Sequence, residues 1–163
     1  MPLPIFVGEV NPYGGNPDYA LFPYPQGSAG HILKSRIVRI PGGYYCELGR
    51  VNLCEGRWSL KEARARAEEL LLTRHLQHFG KRTVWGDESV PGVLVLLGVK
   101  VCSAFRVPFA PFDLRNGMVI LPHPSGLNRM WSADNYNRAH DLLRVQFPDL
   151  YNPELPYFKK ETL

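Results

Sequence analysis

The sequence predicts an α/β fold, a three-layer α/β/α sandwich around a mostly parallel four-stranded central sheet. Three observations carry that expectation. Apolar runs such as Ile5-Phe6-Val7, Val93-Leu94-Val95-Leu96-Leu97 and Val119-Ile120-Leu121 have strand length and no polar alternation, as strands covered on both faces do. Segments of helical periodicity lie between them, which fits parallel strands joined by crossovers. The 163 residues suit a single domain, 1–163, and a chain of this size buries about two thirds of the surface it exposes when unfolded.

The elements follow in order. Ile5-Phe6-Val7 ends at Gly8 and reads as a buried strand. Residues 11–30 are dense in Gly, Pro, Asn and aromatics and read as a long loop, a length that is uncommon without a function. His31–Arg36 is expected to be a short helix. A second apolar run, Tyr44 to Leu53, carries Asn52 near its end. Ser59 and Glu62 form a capping box. Leu60, Ala63, Ala67, Leu70, Leu71 and Phe79 then mark one helical face, with Gly80 as a stop. Arg64, Arg66, Glu68 and Glu69 fall on the solvent side. A last helix is expected from Ser132, with Tyr136, Ala139, Leu142 and Leu143 inward. Residues 147–163 read as a packed C-terminal tail.

Composition narrows the class. Apolar residues are 45% and charged residues 21% of the chain, which is globular usage and excludes a disordered polyelectrolyte. Gly and Pro number 15 each without a period, so the fold is rich in loops rather than collagen-like. The net charge of +4 permits a polyanionic partner. Three scattered cysteines, Cys46, Cys54 and Cys102, cannot supply four thiolates. Free thiols in a reducing compartment are expected, with no cofactor and no metal. His75 and His78 share a helix face but lack a third ligand, so they read as surface histidines. Trp58 and Trp85 read as packing residues, and Trp131 as one too unless it lines a nucleic-acid face. Glu47, Asp87, Asp113 and Asp134 form no paired arrangement, and no Walker-type loop is present. The apolar stretch at Val93–Val101 is too short for a bilayer, and the N-terminal residues lack a secretory pattern. A cytoplasmic, nucleoid-associated monomer without membrane contact is expected.

Ligands of such sheets bind beyond the carboxyl ends of the strands. The unusual loops fall there: one follows Val7, one surrounds Asn52, one follows Leu121. The first reads Gly8-Glu9-Val10-Asn11-Pro12-Tyr13-Gly14-Gly15. Its glycines allow close backbone approach, and its Asn offers both donor and acceptor. On its own it also reads as a turn. The last is His123-Pro124-Ser125-Gly126-Leu127-Asn128-Arg129. It combines an imidazole, a hydroxyl beside free N–H groups, an apolar tip and a cation. Ser and Gly N–H groups suit a phosphate. Leu127 either packs back onto the body or stands out as a wedge for a base stack.

This pair of loops resembles the motifs of the uracil-DNA glycosylase superfamily, closest to its small mismatch-specific branch. The early motif of that family ends in D-P-Y, N-P-G or A-P-G, and the late one reads H-P-S or N-P-S before a small residue and Leu. Val51-Asn52-Leu53-Cys54 looks like the family strand ending in a base-reading Asn. Val95-Leu96-Leu97-Gly98 looks like the later strand and glycine. The likeness spans roughly residues 5–145.

The resemblance implies a monofunctional DNA glycosylase of base excision repair, a hydrolase that cuts the N-glycosidic bond of a flipped-out uracil or related pyrimidine in single- or double-stranded DNA. His123 would donate to the O2 of the leaving base, where negative charge develops. Asn11, at the family's Asp/Asn position, would hold the water. In a second register Glu9 matches the acid of the G-E-A-P-G branch; Asn11 is favoured because Pro12 and Tyr13 follow it. Asn52 would read the pyrimidine edge, Phe22 or Tyr24 would stack on the base, and Tyr13 would stand against C5. Ser125, within Pro124-Ser125-Gly126, would grip a phosphate. Leu127 would fill the vacated stack, with Asn128 or Arg129 on the orphaned partner. A glycosylase for a bulkier modified or damaged base, as in phage DNA, is the alternative suggested by the 16–30 loop. A binding module with weak or lost chemistry is another.

Overall fold

The structure, a computed structural model, describes residues 3–11, 19–73, 92–152 and 154. Its strands are β1 (Pro4–Asn11), β2 (Gly49–Glu55), β3 (Val93–Leu97), β4 (Asp113–Arg115) and β5 (Met118–Leu121). They form a five-stranded sheet in the order β2-β1-β3-β5-β4. Its first four strands run parallel, and β4 pairs antiparallel with β5. Four strands were expected from the sequence, and β4 is the addition. All three of its residues are exposed, so it carries no apolar run by which to recognise it. Its hairpin turn is Asn116-Gly117, with both residues at positive φ (51° and 75°), the geometry of a type I′ turn.

Alternate residues of the strands feed two cores. Phe6, Val95, Leu97, Val119 and Leu121 pack against one set of helices. These are α1 (Ala29–Ile32), which continues as a π-helix through Leu33–Val38, then α2 (Gly42–Tyr45) and α5 (Ala133–Gln146). Ile5, Val7, Leu94, Leu96 and Ile120 pack the other way, with Ala63, Ala67 and Leu70 of α3 (Leu60–Thr73) and Val101 and Cys102 of α4 (Val99–Ala104). Strand residues of opposite parity point to opposite faces, so uninterrupted apolar runs serve both cores at once.

The predicted helix starts are present. Ser59 Oγ accepts from the Glu62 N–H at 3.4 Å, and Ser132 Oγ from the Asn135 N–H at 3.2 Å. Ala63, Ala67, Leu70, Ala139 and Leu143 are buried. Leu60 and Leu71, expected on the inner face of α3, are exposed at 38% and 43%. The face α3 turns to the sheet is narrower than the sequence pattern suggested. Phe79, Gly80, His75, His78 and Trp85 lie outside the described residues, as does most of the tail beyond Asn152. The tail's first turn, Pro148–Tyr151, buries Leu150 and anchors the Tyr151 hydroxyl on the Val38 carbonyl at 2.6 Å. No helix among the described residues is long and apolar enough to cross a membrane.

Candidate active-site cleft

The strand order reverses at β1, whose neighbours are β2 on one side and β3 on the other. A crevice forms at such a point beyond the carboxyl ends of the strands. Here it is a small cleft, with a cavity volume of about 80 Å3, lined by Glu9 and Val10 of β1, Asn52 of β2, and His123 just after β5. Its remaining wall comes from Tyr19, Leu21, Phe22, Tyr24 and the start of α1 at Ser28–Gly30. Three chain segments far apart in sequence therefore meet in one place.

The floor depends on a missing side chain. Gly8 lies opposite Asn52 in the parallel ladder. A Cβ at Gly8 would collide with Asn52 Oδ1 and come within 2.9 Å of Leu21 Cδ2. The absence of that carbon gives the Asn52 carboxamide room to lie across β1. Gly30 plays the same part in the wall, since a Cβ there would overlap the carbonyls of Leu21 and Phe22.

The wall itself is clamped. Leu21 has φ of 48°, a left-handed conformation that costs a non-glycine residue free energy and persists only where its surroundings fix it. Two buried side chains do so. The Tyr45 hydroxyl donates to the Leu21 carbonyl at 2.6 Å, and Arg50 donates to the Ala20 carbonyl at 2.8 Å and to the Cys46 carbonyl at 3.3 Å. The Arg50 guanidinium lies 5.2 Å from the Tyr45 ring centroid, a cation–π distance. Burial pushes the Tyr45 hydroxyl far above its ordinary range, with Arg50 acting against that rise, so Tyr45 stays a neutral donor. Beyond the clamp, Phe22 contacts Tyr19 edge-on at 5.0 Å and Tyr24 at 5.8 Å. Ser28 closes the segment. Its Oγ accepts from the His31 N–H at 3.2 Å and caps α1.

His123 is half-buried and supported from behind. Gly98, at φ of 104°, holds its Cα so close that a Cβ would stand 3.0 Å from His123 Cβ. The Gly98 N–H donates to the Leu121 carbonyl at 2.9 Å. Three donors meet on the His123 carbonyl: the Ser125 N–H at 2.8 Å, Asn128 Nδ2 at 3.1 Å and Trp131 Nε1 at 2.8 Å. Burial lowers the His123 imidazole below its ordinary pKa; the Glu9 carboxylate opposes that shift and the Lys100 ammonium adds to it. A neutral ring that can donate one N–H at neutral pH follows.

Within the late loop, Leu127 N–H donates to Ser125 Oγ at 3.2 Å, and Met130 N–H to Asn128 Oδ1 at 3.0 Å. Trp131 stacks on Tyr136 with centroids 4.7 Å apart and meets Phe112 edge-on. These bonds make the loop a fixed turn. Leu127 stands on its tip, 93% exposed, and does not pack back. Arg129 and Gly126 are exposed, Ser125 and Asn128 half-buried, and Pro124 buried. Trp131 is half-buried and supports the loop.

Of the residues singled out in the sequence, Glu9, Asn52, His123, Phe22 and Tyr24 share the cleft. Asn11 does not line it: Asn11 is 4% exposed and sits across the ladder from Glu55. The strand runs on through Asn11, and of the two residues it is Glu9 that lines the cleft. Tyr13 lies outside the described residues. Sequence reasoning missed Tyr45, Arg50 and Leu21. Arg50 sits in a strand flanked by polar and apolar residues alike, and nothing in that pattern marks it as buried. Ser28 did carry a signal, since Ser before a short apolar helix is a common N-cap.

Among the described residues no group of three or more His, Cys, Asp or Glu is placed to hold a metal ion, and all three cysteines are free thiols. Comparison with protein-family models, with curated proteins and with solved structures finds no match to the chain.

Proposed function

We propose that the protein is a DNA glycosylase that hydrolyses the N-glycosidic bond of a base flipped into this cleft, with uracil as the first candidate. One observation carries the reading: Glu9, Asn52 and His123 line one cleft beside the Phe22 ring, while an exposed Leu127 stands on the loop anchored at His123.

Each group has work to do. A base leaves deoxyribose through an oxocarbenium-like sugar while charge grows on the base. The His123 N–H stabilises that charge, an interaction stronger in the transition state than before it. The Asn52 carboxamide offers one donor and one acceptor, the complement of a pyrimidine's O4/N3 edge. Glu9 orients the attacking water and opposes the positive sugar. Phe22 gives the extruded base a stacking surface. Leu127 occupies the gap left in the stack, which offsets part of the few kcal/mol that flipping costs.

The test is release of uracil from single- and double-stranded oligonucleotides, read by alkaline cleavage. Wild-type protein releases the base, and Asn52→Ala, His123→Ala and Glu9→Gln each lose most of that rate. Full activity in all three variants removes the assignment. The same assay on modified pyrimidines tests the second reading, a larger base, which the aromatic wall at Tyr19, Phe22 and Tyr24 favours.

A further inference from the structure

We infer that a single DNA strand crosses the cleft with its backbone held at two lysines, Lys34 on one flank and Lys100 on the other, each set beside an aromatic ring. This rests on the glycosylase reading and extends it to how the target strand is held.

The two flanks are built alike. Lys34 Nζ lies 6.0 Å from the ring centroid of Tyr24, a residue of the cleft wall that is 60% exposed. Lys100 Nζ lies 5.9 Å from the Trp58 ring. Lys100 belongs to the first turn of α4, whose N-cap Gly98 abuts His123, and α4 packs on the sheet face opposite the helix that carries Lys34. The cleft interior has the reverse character. Glu9 places a carboxylate there, beside the uncharged Asn52 and a ring kept neutral by burial. A phosphate is repelled from such a floor, whereas an uncharged base is not. Charge therefore sorts the ligand: base inside, phosphates outside at the ammonium groups. An ammonium next to an aromatic plane is also how sequence-tolerant strand grooves are made, with the cation on the backbone and the ring under a neighbouring base.

The experiment reads the salt dependence of binding, which counts neutralised phosphates and needs no chemistry. A fluorescent thymine-only oligonucleotide is titrated at 50 to 200 mM NaCl with wild type, Lys34→Ala, Lys100→Ala and the double variant. On a single strand each lost phosphate contact lowers the slope of log K against log salt by about 0.7, and the double variant by about 1.4. Lys34→Arg and Lys100→Arg keep the wild-type slope. Arg115→Ala, in the hairpin at the other end of the sheet, also keeps it. Unchanged slopes in both alanine variants, or no binding of the strand by wild type, overturn the inference. Uracil release is measured in parallel. Lysine-dependent slopes with no release leave the track standing and remove the glycosylase reading; release that ignores both lysines does the reverse.

Discussion

The hydroxyl of Tyr45 donates to the backbone carbonyl of Leu21 at 2.6 Å, from a ring that is fully buried. The bond reaches from α2 to the strained residue of the cleft wall. Tyr45→Phe leaves that carbonyl without this donor in a buried setting, at a cost of about 1–3 kcal/mol. Urea unfolding measures it. The expected result is a lower midpoint with an unchanged m-value, since the compactness of the two states is not altered. An unaltered midpoint would mean that the Leu21 conformation holds itself.

Gly8→Ala tests the floor. The new methyl meets the Asn52 carboxamide and Leu21, and overpacking of this kind costs about 1–3 kcal/mol. The protein still folds, but base release falls as far as in Asn52→Ala, because the carboxamide is displaced in one case and absent in the other. Oligonucleotide cleavage compares the two variants. Gly8→Ala with wild-type activity would contradict the role given to Asn52.

Leu127→Ala separates stability from function. The side chain is 93% exposed, so thermal unfolding should shift by no more than about 0.5 kcal/mol. Base release from duplex DNA should drop, while release from single strands should hold, because only the duplex has a stack to be filled. Equal losses on both substrates would show that the leucine is not a wedge.

Acid should weaken the fold, and the sign follows from His123. Its folded pKa lies below the ordinary value of 6.5, with burial the main cause. The unfolded chain therefore takes up the proton more readily than the folded one. Folding stability is full above about pH 7 and declines as pH falls through 6.5. His140 is also lowered, chiefly by burial, and acts in the same direction. Unfolding midpoints at pH 7.5 and 5.5 should differ less for His123→Asn than for wild type. An equal difference would assign the acid sensitivity elsewhere.

Much of this arrangement was legible in the chain. The uninterrupted runs at Ile5–Val7, Val93–Leu97 and Val119–Leu121 marked strands because two-sided burial leaves no polar alternation to look for. Ser59 with Glu62, and Ser132, marked helix starts because orphan N–H groups need nearby oxygens. Asn52 and His123 were visible as polar residues beside apolar runs, although Asn52 falls inside β2 and not at its end. Which of Glu9 and Asn11 lines the cleft was not visible, since it turns on where β1 stops, and apolar patterning does not locate a strand end within a loop rich in Gly and Pro. Arg50 escaped for another reason. Its burial depends on carbonyls of Ala20 and Cys46, and no local rule of sequence reports what a distant backbone offers.

The three donors on the His123 carbonyl have a further consequence. They join the imidazole and the leucine tip into one rigid lever, with Trp131 as its fulcrum. Natural variation at position 131 would shift the Leu127 tip and the His123 ring together, so neither can drift without dragging the other along.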